Sequence, residues 1–148
     1  MRSKYAYRIK TTRIREPDFP YNGQQITCTT ELVEFCHSLR ELDIEKLVAL
    51  YLDSQNYIMG IQIFRGTADQ AVVYPREVIR HALLCNASAI ILAHNHPSGK
   101  VQPSDYDIRV TKEVKEAADM MNLAVHDHIV IGNDNGRFFS FREEGMMP

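Results

Sequence analysis

The sequence predicts a single α/β domain in which helices pack on the faces of a mixed sheet. Three observations carry this expectation. The chain has 148 residues, the size of one independently folding unit. Segments with period-two and with 3.6-residue apolar spacing succeed one another along it. Residues 89–93, Ala-Ile-Ile-Leu-Ala, form a short, wholly apolar run between two helical patterns, as a strand buried on both faces does.

The elements follow in order. Residues 1–23 form a basic N-terminal arm, with Arg2, Lys4, Arg8, Lys10, Arg13 and Arg15 against Glu16 and Asp18, and residues 24–148 form the domain. Thr29 or Thr30 can cap a helix to about Arg40, with Leu32, Val33, Phe35, Cys36 and Leu39 as its apolar stripe. Residues 46–52 read as a strand, 53–56 as a turn and 57–64 as a returning strand. A further short strand is expected over 71–74. Pro75 then opens a helix running to about Cys85, where its missing N–H is harmless. The buried strand at 89–93 comes next, followed by a Pro/Gly loop and a helix from about Ser104 to Met121. Residues 125–131 and 137–141 close the sheet as a hairpin.

Composition narrows the function classes. A formal net charge of −2 gives no global field that attracts nucleic acid. The basic arm leaves two readings open: it packs on the domain or a partner, or it touches phosphates. Three cysteines without a CxxC pair fit a reducing cytoplasm rather than a disulfide framework. The longest apolar run is far too short to span a bilayer, so no membrane partner is expected. Homo-oligomerisation through the arm or the closing strand stays open.

The chemistry concentrates in residues 94–107, His-Asn-His-Pro-Ser-Gly-Lys-Val-Gln-Pro-Ser-Asp-Tyr-Asp. His94 and His96 lie two apart at the carboxyl end of the buried strand, so in extended chain both imidazoles point to one side. Ser104 is a helix N-cap, and Asp107 falls in the first turn on the inward stripe that continues through Val110 and Val114. Ser-x-x-Asp is also a generic capping pattern. A carboxylate on a buried stripe needs a compensating partner. Two imidazoles and one carboxylate supply one by holding a zinc ion, one per chain, with a fourth position left open. An open position is what a catalytic zinc site requires.

His-x-His, ten intervening residues and Asp, with Ser three before the Asp, resembles the JAMM motif of the MPN metalloproteases. His94-Asn-His-Pro-Ser-Gly99, Asp127-His128-Ile-Val-Ile-Gly132, Gly66-Thr67, Pro75-Arg-Glu-Val78 and Ser140-Phe141 resemble the RadC-like branch. The resemblance implies a three-layer, cytidine-deaminase-like α/β sandwich with a mixed sheet and zinc on His94, His96 and Asp107. It also implies Ser104 assisting a reaction oxyanion, a hydrolase acting on peptide or isopeptide bonds, and a nominal link to DNA repair. JAMM catalysis also uses a glutamate on an upstream strand as general base. Counting five back from Gly66 puts that position at Ile61, and no acid lies between Gln55 and Arg65.

Two functions therefore remain open: a zinc metallohydrolase, and a metal-binding scaffold in which catalysis is impaired. Glu77 is the candidate substitute base, although a carboxylate in the first turn of a helix has an ordinary capping role. Asp127 and His128 are expected to support the ligands by hydrogen bonding. His126 and His128 share a strand face, but no third ligand is near. A deaminase is excluded because it needs His-x-Glu and Pro-Cys-x-x-Cys. An HNH-type nuclease spreads its catalytic residues over a ββα unit, and none of the cysteines carries a nucleophile motif.

Overall fold

The computed structural model describes residues 23–41, 43–66, 71–133 and 136–148. Most of the basic arm, together with Thr67, lies outside the described residues. A five-stranded mixed sheet forms the middle layer, in the order β2-β1-β3-β4-β5. The strands are β1 (Lys46–Leu52), β2 (Ile58–Arg65), β3 (Ala89–Asn95), β4 (Ala124–Ile131) and β5 (Phe138–Ser140), and the helices are α1 (Thr29–Phe35), α2 (Pro75–Leu84) and α3 (Asp105–Met120). This is the α/β class expected.

Strand β3 is buried at every position and lies between β1 and β4. Its pairing with β1 is antiparallel and with β4 parallel. The parallel pair is joined through α3, as a parallel connection requires a crossover. Val48, Leu50, Leu52, Ile91, Ala93, Ile129 and Ile131 pack with Leu32, Val33, Cys36 and Leu39 on one face of the sheet. Leu47, Ala49, Tyr51, Ile90 and Leu92 face α2 and α3 on the other, against Val78, Ala82, Val110, Val114 and Ala118. Side-chain alternation along each strand is what divides the core into these two layers.

Four boundaries differ from the sequence reading. The first helix stops at Phe35 and continues as a 3-10 segment, His37–Glu41. Its apolar stripe nonetheless lands on the core, because Cys36 and Leu39 are buried in either geometry. Residues 71–74 form no strand. Ala71 and Val73 are buried there, yet their backbone N–H groups go to side chains, Glu45 and the Tyr106 hydroxyl, instead of a sheet neighbour. β3 extends two residues beyond the apolar run, so His94 is itself a sheet residue. The closing strand β5 is three residues long.

All three cysteines are free, and burial pushes the Cys36 thiol up to about 12, which makes it an unreactive core residue. No described helix is long and apolar enough to cross a membrane.

Leu50 is fully buried in the central region of the sheet. Its replacement by Ala should cost about 2–5 kcal/mol, read as a lowered denaturation midpoint at unchanged slope in urea titration.

Candidate metal centre

The site is built at the carboxyl end of β3. The sheet face that carries Ile90 and Leu92 continues to His94, and His96 follows on the same side, just beyond the strand. Gly99 then reverses the chain: its φ is +82°, its N–H donates to the His96 carbonyl at 2.9 Å, and any Cβ there would collide with the Asn133 side chain. Glycine meets that conformation without strain.

Ser104 caps α3 in a reciprocal box. Its hydroxyl accepts from the Asp107 N–H at 3.1 Å, and its own N–H donates to Asp107 Oδ2 at 2.8 Å. The generic helix-start pattern is thus present, and the same Oδ2 lies 3.2 Å from His94 Nε2 and 3.1 Å from His96 Nε2. Capping and site formation use one oxygen. The two Nε2 atoms are 3.0 Å apart.

The hydrogen bonds behind these atoms determine their protonation. Thr111 Oγ1 donates to the Asp107 carbonyl at 2.6 Å, which can only accept. Thr111 Oγ1 must therefore accept at its 2.6 Å contact with His128 Nδ1, so the proton of that ring is on Nδ1. The His128 Nε2 lone pair then accepts from His94 Nδ1–H at 2.7 Å, leaving a lone pair on His94 Nε2. His96 Nδ1 donates to the Lys100 carbonyl at 2.8 Å, which leaves a lone pair on its Nε2 too. These tautomers are assigned from the network.

Two imidazole lone pairs and a carboxylate oxygen thus converge with separations of 3.0–3.2 Å. A tetrahedral ion bound at about 2.0–2.1 Å sets its ligand atoms roughly 3.3 Å apart. Three mutually repelling lone pairs in a buried setting call for a cation among them. The donor set fits a divalent metal.

The electrostatics agree. Burial drives the His94 pKa down, and the neighbouring Asp107 carboxylate only partly offsets it. His128 is held well below the usual histidine range, first by burial and then by the adjacent His94. Burial also pulls His96 downward, but the Asp107 carboxylate and the Lys100 carbonyl outweigh it and the net direction is up. Burial would raise Asp107, yet its hydrogen bonds with the two imidazoles hold the carboxyl well below the usual carboxylate range. The cluster attracts positive charge.

A fourth group completes it. Glu45, immediately before β1, is buried. Its Oε1 lies 3.6 Å from His94 Nε2 and 3.7 Å from His96 Nε2, and its Oε2 accepts from the Ala71 N–H at 3.0 Å. Glu45, His94, His96 and Asp107 bring one ligand atom each within 4.8 Å of one another, and no other such group occurs among the described residues.

Glu45 corrects the expectation that the upstream glutamate position is Ile61. Ile61 pairs with Leu50 on β2 and packs in the core layer beneath α1, on the sheet face opposite the histidines. The antiparallel register of β1 with β3 decides the matter: Leu47 opposes His94, so Glu45, two residues earlier and on the same face as Leu47, reaches the cluster. An acid just before an apolar strand was the available signal, but reading it required that register.

The structure does not bring Glu77 to the cluster; its carboxylate pairs with Arg80 at 2.6 Å on α2. Ser104 sits at the rim, exposed. Of the expected supporting pair, His128 touches His94, and Asp127 bonds none of the four residues of the cluster. Asp127 Oδ1 accepts from the His128 and Arg142 N–H groups, and its Oδ2 accepts from the Ser140 hydroxyl, joining β4 to the end of β5. His126 bonds Asn56 instead of sharing a site with His128. Thr111, which sequence reasoning missed, closes the chain from His94 back to Asp107.

The family follows from comparison with known proteins. Residues 26–146 match the model of the RadC-like JAB domain. The chain belongs to this family. Similar proteins include a UPF0758 protein of Rhodobacter capsulatus, 44% identical over 118 residues, which cover 78% of this chain and 54% of the relative. A UPF0758 protein of Actinobacillus succinogenes is 48% identical over 107 residues, covering 72% and 48%. One of Stenotrophomonas maltophilia is 46% identical over 112 residues, covering 75% and 47%. The chain spans about half the length of the relatives it matches. The buried Glu/His/His/Asp group of this RadC-like domain can bind a metal ion.

Thr111→Val removes the acceptor of His128 Nδ1–H, so the His128 proton no longer has reason to stay on Nδ1. The dissociation constant for an added divalent metal ion should rise about 10–100-fold, measured by competition with a chromophoric chelator, while the circular dichroism spectrum stays unchanged.

Proposed function

We propose that this domain is a zinc-dependent hydrolase of peptide or isopeptide bonds, with His94, His96 and Asp107 as ligands and Glu45 as general base. The observation that carries the reading is the Glu45 carboxylate beside three converging lone pairs, one oxygen anchored by the Ala71 N–H and the other turned to the cluster.

Zinc bound there would polarise a scissile carbonyl and make hydroxide available near neutral pH. The chain's own residues do the rest. Glu45 Oε1 accepts the proton of the attacking water and delivers it to the leaving amine. Fixing Oε2 on a backbone N–H limits the carboxylate to one orientation, so no reorganisation is needed at the moment of transfer. The Ser104 hydroxyl accepts in its capping bond and keeps its proton for an oxyanion at the rim of the site. His128 holds His94 in the tautomer that presents Nε2. The scaffold reading rests on Ile61 at the glutamate position; the Glu45 carboxylate beside the cluster favours hydrolysis over it.

Elemental analysis of the purified protein should find about one zinc per chain. Against a peptide and isopeptide library, His94→Ala should lose both zinc and hydrolysis. Glu45→Gln should keep zinc and lower kcat by about 10²–10⁴-fold. Ile61→Glu should add no activity. A zinc-saturated natural protein that cleaves nothing, or a Glu45→Gln variant that cleaves as fast, would sink the reading.

A further inference from the structure

Asn95 stands between the two histidines, and its side chain points to the other side of the strand. It is buried, and it does not touch the metal cluster. Both ends of its amide go to the backbone on either side of Glu45. Oδ1 accepts from the Lys46 N–H at 2.8 Å, and Nδ2 donates to the Ile44 carbonyl at 3.0 Å. The orientation of the amide is unambiguous, because an N–H can only donate and a carbonyl can only accept.

We infer that Asn95 is a positioning residue that sets the place of Glu45 relative to the histidine pair. The need for it lies in the sheet. Backbone pairing of β1 with β3 ends at Leu47 and His94. On the far side the backbone bond to β4 is made by the residue after Asn95, His96, whose N–H donates to the Ile131 carbonyl at 3.3 Å. Glu45 lies two residues beyond the last β1–β3 pair. Past that pair the Asn95 amide ties the two chains with one donor and one acceptor.

The alternation of side chains makes the arrangement specific. His94 and His96 project to the α3 face. Asn95, one step out of phase, reaches Ile44 and Lys46 from the opposite face, and the Glu45 side chain between them is left to project toward the histidines. One residue thus joins the strand end that carries both imidazoles to the segment that carries the carboxylate. Two further contacts seat that segment: the Gly66 N–H donates to the Glu45 carbonyl at 3.1 Å, and the Ala71 N–H donates to its Oε2.

No similar-sized side chain does both tasks. Aspartate keeps the acceptor for Lys46 but sets an oxygen against the Ile44 carbonyl. Alanine keeps neither bond. Neither change removes a donor atom from the cluster, so zinc binding and Glu45 placement should separate.

The inference rests on Glu45 acting as the base, and the experiment has an arm that does not. In zinc-loaded Asn95→Ala, amide hydrogen exchange read by NMR should speed up at Lys46, Gly66 and Ala71 by about tenfold or more, with the amides of the β1–β3 ladder unchanged. Zinc affinity, by chelator competition, should stay within about threefold while kcat falls about 10–100-fold, as about an ångström of misplacement can cause. Adding Asn95→Ala to Glu45→Gln should slow hydrolysis no further, since both changes act through one group. Asn95→Asp, closer in shape, should show the same pattern and serves if the alanine variant does not fold.

Unchanged exchange at all three amides in a folded variant overturns the inference. So does a loss of zinc affinity that parallels the loss of kcat, which would assign Asn95 to the histidines instead. If the natural protein cleaves no substrate, the hydrolase reading fails by itself and amide exchange alone decides the role of Asn95.

Discussion

The constraint on which the site depends is the crowding of three lone pairs into one buried point. His94 Nε2, His96 Nε2 and Asp107 Oδ2 sit 3.0–3.2 Å apart in a low-dielectric interior, an arrangement that a proton or a metal cation among them stabilises. Every polar contact behind them preserves that crowding. The Lys100 carbonyl holds one ring, His128 holds the other, and the Ser104 N–H holds the carboxylate. Remove any of these and the convergent atoms gain freedom to turn away or take up a proton.

Strand direction explains how distant segments meet there. β3 runs antiparallel to β1 and parallel to β4, so the end of β3 lies beside the beginning of β1 and the latter half of β4. The first arrangement supplies Glu45, and the second supplies His128, which pairs alongside Leu92. The aromatic ring of Phe141 stacks on His128 at 4.9 Å with only 8° between planes, which fixes the ring laterally while its two nitrogens are fixed by hydrogen bonds. A histidine buried this deeply stays neutral, and only a neutral ring can accept from His94.

What was legible in the sequence was local. Two histidines two apart on an apolar strand share a side by the geometry of extended chain, and Ser104 with Asp107 is a helix start that any reader of capping patterns finds. These residues meet in the structure because the loop between them is short and turned by Gly99. What was not legible depended on register between distant strands. Counting along β2 led to Ile61, because a count within one strand carries no information on which strand lies beside the histidines or which face is shared. Glu45 became visible only once Leu47 was paired with His94. Thr111 was hidden for a related reason: a threonine inside a helix ordinarily bonds the preceding turn, as this one does, and its second contact is to a strand seventeen residues away. The short strand expected over 71–74 failed because alternating burial of Ala71 and Val73 resembles a sheet pattern even when the backbone N–H groups are used by side chains.

The opening turn of α3 merges two tasks that proteins usually keep apart. Helix ends ordinarily fray, since their first N–H groups lack partners, and a protein tolerates the loss of a turn there. In this chain the capping oxygen of Asp107 is also one of the four atoms that can hold a metal ion, and the carbonyl of the same residue anchors the Thr111 hydroxyl. Unwinding a single turn would therefore disperse the cation's cradle as well as the cap. By thermodynamic linkage, occupancy of the cradle stiffens the helix terminus, so local order and ion binding at this end of the molecule rise and fall together.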